Sequence, residues 1–284
     1  MADIHPNPKT DLSSARGVRF SGMALLVAIC VPLLCFLLIP ILLILPMAFN
    51  EGRILIFPPS GFSFDPFVDL LSDQSWMQSA WVSLKIGLLA TCIATVVGVS
   101  AALALNRARA VIKGAITGII MLPIMIPGIV MALGFYLFYR QSGVAGTWVP
   151  IAFAHAVVIT PFVFLATQAS LSGLDPTLPR AARSLGASSL SVLWHVYLPA
   201  LRPGILGGAI FAFIGSFDEI IISFFLAGPG VTPLPVQIFT SLQTDLTPKV
   251  AAVAAVLFFL SIIGLVVQAY QNQSVTKKPK APLE

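Results

Sequence analysis

Two adjacent carboxylates, Asp218 and Glu219, sit inside an otherwise apolar stretch running from Pro203 to Ala227. Each charge near the middle of a membrane span costs roughly 2.5–3.5 kcal/mol on an insertion scale, so the pair is expected to face a cavity, a partner or a cation and not lipid. Neighbouring positions on a helix diverge by about 100°, which lets one carboxylate line a pathway while the other pairs with an adjoining helix or subunit. The chemistry on offer is electrostatic attraction of a cation. A second arrangement also fits: the helix ends early, loosened at Gly215-Ser216, and both carboxylates sit in water at the outer surface.

Other reactive residue types do not assemble. His5, His155 and His195 are far apart in sequence and suggest neither a metal cluster nor a hydrolytic triad. His155 reads as a hydrogen-bonded packing residue inside an apolar run. Cys30, Cys35 and Cys92 lie in apolar runs and read as buried structural thiols, with no disulfide, metal or redox role. No G-x-x-x-x-G-K-[ST] loop occurs, so the chain cannot cradle ATP phosphates in the usual way and no catalytic residue, metal or cofactor is assigned to it.

The elements that hold these residues follow from composition. At 57% hydrophobic and 10% charged, 284 residues carry too little polar surface to cover a soluble globule. Stretches free of Asp, Glu, Lys and Arg run over 20–50, 86–106, 114–139, 141–174 and 250–276. Each meets the length of about 20 residues that a helix needs to cross roughly 30 Å of hydrocarbon. The run 203–217 alone rises only about 22 Å, so 203–227 is taken as one further span carrying the two carboxylates. The expectation is an all-α polytopic membrane protein with six transmembrane helices, near 22–49, 81–105, 115–138, 149–170, 204–227 and 250–270. Prolines within Leu122-Pro123-Ile124-Met125-Ile126-Pro127-Gly128 mean a broken or kinked third span.

Basic residues set the orientation. Lys9, Arg16 and Arg19, then Arg107, Arg109 and Lys113, then Arg180, Arg183 and Arg202, then Lys277, Lys278 and Lys280 fall on one side of the membrane. Only Arg53, Lys85, Arg140 and Lys249 fall on the other. The tails 1–21 and 271–284 are therefore expected in the cytoplasm, flanking a transmembrane domain over 22–270. The net charge of +5 is topological and calls for no nucleic acid. The first apolar run exceeds the core of a cleavable signal, about 7–15 residues, and is expected to remain as an anchor in the lipid bilayer.

One stretch on the cytoplasmic side, 175–203, is too polar to span. Asp175 or Thr177 can cap a helix there, and Pro179 favours Thr177, because proline at the fourth helical position would forfeit a bond. Gly186 can take the left-handed conformation that ends that helix, Ser188 or Ser189 can cap a second, and Leu198-Pro199 is expected to stop it. Two short helices at an angle make a knob suited to a socket on another protein.

Arg180-Ala181-Ala182, Gly186 and Leu198-Pro199 at this spacing resemble the Glu-Ala-Ala loop of permease subunits of binding-protein-dependent ATP-binding cassette importers. The resemblance covers roughly 81–270 and implies a bacterial inner-membrane subunit forming half of a translocation pathway. In that family the loop docks on a cytoplasmic ATPase, so Arg180, Ala181, Ala182, Gly186, Leu198 and Pro199 are expected to carry the coupling. Arg180 replaces the usual glutamate and reverses one charge there. The resemblance further implies a second permease, as a heterodimer, two cytoplasmic ATPase domains and an external solute-binding protein. ATP would be bound by the partner subunit, leaving this chain without enzymatic activity of its own.

Ser216-Phe217-Asp218-Glu219, Phe224 to Gly230 and Leu234-Pro235-Val236-Gln237-Ile238-Phe239 are similar to the spermidine/putrescine branch of these permeases. A carboxylate-bearing pathway suits a polycation, although permeases for ferric iron, phosphonates and opines share the architecture. The other class open to the sequence is an ion-coupled secondary transporter that binds its coupling ion at Asp218 or Glu219. The two-helix knob separates the two, because only coupling to a separate ATPase needs a docking element.

Overall fold

The computed structural model describes residues 11–276 apart from 107, 145 and 245, with side chains over 26–264. Lys9, Arg107, Lys277, Lys278 and Lys280 lie outside the described residues, as do the side chains of Arg16 and Arg19 and, of the two expected tails, residues 1–10 and 277–284. Among the described residues the chain is all-helical, with isolated bridges at Asn50–Phe62 and Gly228–Val231. It divides into two compact units, 1–70 with 245–284, and 71–244.

In the first unit, α1 (Asp11–Met47) packs on α12 (Pro248–Thr276). Contact is close because Ala48, Ala251 and Ala255, each fully buried, offer no bulk, and Ile44, Leu45 and Phe67 close around them. The loop after α1 is pinned by Asn50, itself wholly buried. Its amide donates to the Ile54 carbonyl (2.8 Å) and its oxygen accepts from the Ser60 N–H and hydroxyl (3.0 Å each). A buried amide so satisfied fixes the loop without the cost of an orphaned polar group.

The second unit is built on α3 (Gln74–Leu105), α6 (Trp148–Ser172) and α9 (Leu198–Phe217), which pack on one another. Asp73 starts α3 by accepting from the Ser75 N–H at 3.0 Å. Membrane helices gain little from apolar burial alone and associate through close backbone approach. Gly98 and Gly208 supply it: a Cβ on Gly98 would stand 3.0 Å from the Phe164 backbone nitrogen, and one on Gly208 would stand 2.9 Å from the Val163 Cα.

The third apolar stretch is a bent pair, α4 (Ala110–Met125) and α5 (Gly128–Gln141), turned through 97°. Ile126 is extended (φ −82°, ψ 131°) because Pro127 excludes it from the helical region, and Pro127 has no N–H to continue the ladder. The expected break thus falls at Pro127, while Pro123 stays inside α4. Among the described residues four helices are long and apolar enough to cross a membrane, with the bent pair a fifth candidate; the side chains described in α12 make a shorter apolar run, Pro248–Gly264.

Three expectations need correction. The stretch 204–227 is not one helix: α9 ends at Phe217, and α10 (Ile221–Leu226) begins after a break at Asp218–Ile220. Leu198-Pro199 does not stop the second helix of the knob. Instead α8 (Ser189–Val192), a π-turn (Leu193–Tyr197) and α9 form one continuous helix, Ser189–Phe217. The wide turn, with the Leu198 N–H bonded to the Leu193 carbonyl five residues back, absorbs the proline that an α-turn would reject. Finally, Cys30, Cys35 and Cys92 are exposed on helix surfaces. Where lipid is the solvent an apolar thiol is at home facing outward, so burial is not implied by an apolar neighbourhood.

Candidate functional site

The carboxylates occupy the α9–α10 break, and the two are held differently. Glu219 Oε1 accepts from the Ile221 N–H (2.9 Å) and the Ile222 N–H (3.0 Å), capping α10 at its electropositive end. Local capping by an acid competes with helix continuation, which is why the helix stops here. Asp218 instead closes α9, its own N–H bonded to the Ile214 carbonyl (3.0 Å), and its side chain is exposed. A carboxylate at a helix C-terminus opposes the macrodipole, an unfavourable placement of about 0.3–1 kcal/mol. Peptide carbonyls and carboxylate together make that end attractive to a cation.

The break is spanned from α6. His155 is buried, and its Nδ1 lies 2.9 Å from Ser216 Oγ on α9 while its Nε2 lies 3.1 Å from Ser223 Oγ on α10. A neutral imidazole donates through one nitrogen and accepts through the other, so one serine accepts from the ring and the other donates to it. Both serines are buried. The second break lies alongside, since a Cβ on Gly128, the first residue of α5, would stand 3.4 Å from Ile221 Cδ1. Ala132 of α5 shares a core cluster with Ile222 and Leu226 of α10. On α3, Ser83 Oγ accepts from the Leu234 N–H (2.7 Å), tying the start of α11 (Leu234–Thr244) to this bundle, and Lys85 Nζ stands 5.5 Å from the Trp148 ring centroid.

Replacing His155 by Ala orphans two buried hydroxyls, each worth about 1–3 kcal/mol when left unsatisfied. The purified protein is expected to unfold at lower temperature, and a His155→Leu/Ser216→Ala/Ser223→Ala variant to recover much of the loss. An unchanged unfolding temperature for His155→Ala would show that the ring does not join the two helices.

The knob is α7 (Thr177–Ser184) followed, after a turn at Gly186, by the first residues of the long helix Ser189–Phe217, in place of two separate short helices. α7 has Pro176 as its capping residue, so neither expected cap holds that position; Asp175, one residue earlier, satisfies the first turn by accepting from the Thr177 N–H at its Oδ1 (2.8 Å). Pro179 then falls at the third helical position, where no bond is forfeited. That backbone bond, with a second from the Thr177 hydroxyl, holds the Asp175 carboxyl below the usual aspartate range. Gly186 ends the helix with φ +87°. The Gly186 N–H donates to the Arg183 carbonyl (2.9 Å) and the Ala187 N–H to the Ala182 carbonyl (3.1 Å), a Schellman closure. Ser188 Oγ then caps α8 by accepting from the Ser191 N–H at 3.2 Å.

Of the residues expected to carry the coupling, Arg180, Ala181 and Ala182 lie on α7 and Gly186 ends it, whereas Leu198 and Pro199 lie beyond the π-turn at the start of α9. The knob also presents an apolar surface that the sequence expectations do not include. Leu178 is 53% exposed, Leu185 88%, Leu190 63% and Trp194 60%. Leu178, Ala181 and Leu185 recur at a spacing of one helix face, a signal present in the sequence. His155 is the hydrogen-bonded packing residue expected of it, but nothing local in the sequence reveals that its partners lie 61 and 68 residues away.

Long apolar helices, with breaks at Pro127 and at Asp218–Ile220, define an all-helical membrane domain among the described residues. Residues 94–277 match the model of the binding-protein-dependent transport system inner membrane component, and the chain belongs to that family. It is 32% identical over 244 residues to the spermidine/putrescine transport system permease protein PotC of Haemophilus influenzae, covering 86% of this chain and 93% of that one. It is 30% identical to the putrescine transport system permease protein PotI of Escherichia coli K12, covering 81% and 84%. Among solved structures, a bacterial ABC transporter that imports the acidic polysaccharide alginate shares the fold, with a TM-score of 0.66 at 19% identity over 95% of this chain and 99% of that one. The resemblance read from the coupling loop is borne out: the chain is a permease subunit of an ATP-binding cassette importer. Ion-coupled secondary transport, the other reading of the carboxylates, is set aside by that membership.

Proposed function

We propose that this permease imports polyamines, with Asp218 meeting the cargo at the α9–α10 break and Glu219 holding the break open. The observation that carries this reading is the division of the two carboxylates: one consumed as a helix cap, the other exposed at a helix C-terminus. Similarity to permeases named for spermidine and putrescine supports the same class of cargo.

The remaining architecture is proposed with it. The chain carries six spans, counting the bent α4–α5 pair and α12, with both termini and the 175–203 knob in the cytoplasm. It pairs with a second permease as a heterodimer, receives cargo from an external solute-binding protein, and is driven by two cytoplasmic ATPase domains that bind the ATP. Ala181, Ala182 and Gly186 form the seat on the ATPase together with the exposed leucines and Trp194, with Arg180 behind it on the side of α7 that lines a cavity against the span ends; Leu198 and Pro199 fix the angle at which the seat meets α9. The chain itself catalyses nothing. Purification of the intact complex is expected to bring down one further permease and an ATPase, and vesicles containing it to accumulate labelled spermidine or putrescine when ATP and binding protein are supplied. Uptake of neither polyamine would overturn the cargo and leave the importer standing.

A further inference from the structure

A cavity of about 390 Å³ opens between α7 and the ends of α3 and α6, a size typical of ligand sites. From α7 it is lined by Pro176, Pro179, Arg180 and Arg183, whose spacing places them on one helix face, the face of the buried Pro179. Arg180 and Arg183 therefore lie on the side of α7 that lines the cavity against the span ends, while Leu178 and Leu185 occupy other positions on the knob. Among the described residues no Asp or Glu lines the cavity. Asp175, the acid nearest in sequence, has its carboxylate engaged by the Thr177 N–H and hydroxyl.

Position narrows the ligand further. Asn106 and Ser172 in the lining mark the ends of α3 and α6, so the cavity lies where two spans leave the hydrocarbon. Leu171 and Leu174 give it an apolar wall, and Tyr197 of the π-turn an aromatic one with a hydroxyl. Paired arginines match the several oxygens of a phosphate better than any neutral group. A basic pocket with apolar walls at the end of membrane helices suits a phosphate that carries glycerol and acyl carbons.

We infer that this cavity binds the phosphate of an anionic phospholipid, with Arg180 and Arg183 on the phosphate and Leu171 and Leu174 along the glycerol and first acyl carbons. The lipid then joins α7 to the ends of α3 and α6 and fixes the tilt of the knob. Free phosphate shares the head-group chemistry but makes no use of the leucine wall.

The test uses the purified complex, stripped of lipid and offered labelled phosphatidylglycerol, phosphatidylcholine or inorganic phosphate. Phosphatidylglycerol is expected to be retained over phosphatidylcholine, and an Arg180→Gln/Arg183→Gln variant to retain about tenfold less of it. Arg202→Gln removes a charge outside the cavity lining and should retain the parent amount, which separates a defined site from general basic attraction. Arg180→Lys/Arg183→Lys keeps both charges and should restore part of the binding. Equal retention by parent and glutamine variant would overturn the site. Displacement of the lipid by equimolar inorganic phosphate would overturn the lipid assignment in favour of free phosphate. Loss of the ATPase from the glutamine variant, with lipid retention unchanged, would assign the arginines to an acidic protein surface instead.

Discussion

A Gly186→Val variant is expected to hydrolyse ATP in the assembled complex without moving cargo, while inserting in the membrane as the parent does. Gly186 sits at φ +87°, and nothing lies within 4 Å of where its Cβ would be, so the substitution acts on backbone conformation and not on packing. A side chain in this region costs roughly 1–2 kcal/mol, and a β-branched one is the worst accommodated. That cost shifts the population of the intact turn by a factor of about 5–30. It would open the Schellman closure and release α7 from its fixed angle to α8. Gly186→Asn provides the contrast, because asparagine tolerates left-handed backbone, and should keep most of the uptake. Normal transport by the valine variant, in vesicles holding the full complex, would remove the knob from the coupling path.

The second large effect belongs to the carboxylates, and their separate roles make it specific. Asp218→Asn keeps the shape, removes the charge at the end of α9 and relieves an unfavourable dipole contact. Uptake of a polycation is expected to fall about tenfold or more, the scale of one lost charge-assisted hydrogen bond, while insertion survives or improves. Glu219→Gln retains an oxygen for the Ile221 and Ile222 N–H groups and should lose less; Glu219→Ala removes the cap and costs about 1 kcal/mol of local stability. Capture of cargo by the separate binding protein should not change. Full-rate uptake of spermidine and putrescine by an Asp218→Asn/Glu219→Gln variant, with binding protein saturated, would end the pathway role.

Much of the fold was legible because lipid imposes simple rules. The expected span 149–170 became Trp148–Ser172, and 81–105 shares its end with Gln74–Leu105. The latter starts earlier because Asp73 caps a polar first turn that a charge-free window ignores. Gly186 and the Pro127 break were legible for a related reason: glycine and proline act on backbone torsions whatever surrounds them. Pro199 misled because a π-turn is an exception that packing selects and local sequence does not announce. The α9–α10 break was half legible. Two carboxylates in an apolar run signal a departure from lipid, but that Glu219 would turn forward to cap α10 depends on a competition between continuing one helix and starting another. His155 was legible only as a polar residue in need of partners, since both lie on helices that only the tertiary fold brings near.

The continuity of Ser189–Phe217 through its π-turn has a thermodynamic consequence. At about 1.5 Å per residue those 29 residues form a rod some 43 Å long, with the proposed ATPase seat at one end and Asp218 just past the other. No loop between them can take up a displacement. If the rod has two orientations, every ligand that prefers one of them biases both ends together. Binding free energies then obey reciprocity: whatever factor the ATPase imposes on cargo affinity at Asp218, cargo imposes in equal measure on the ATPase at Ser189.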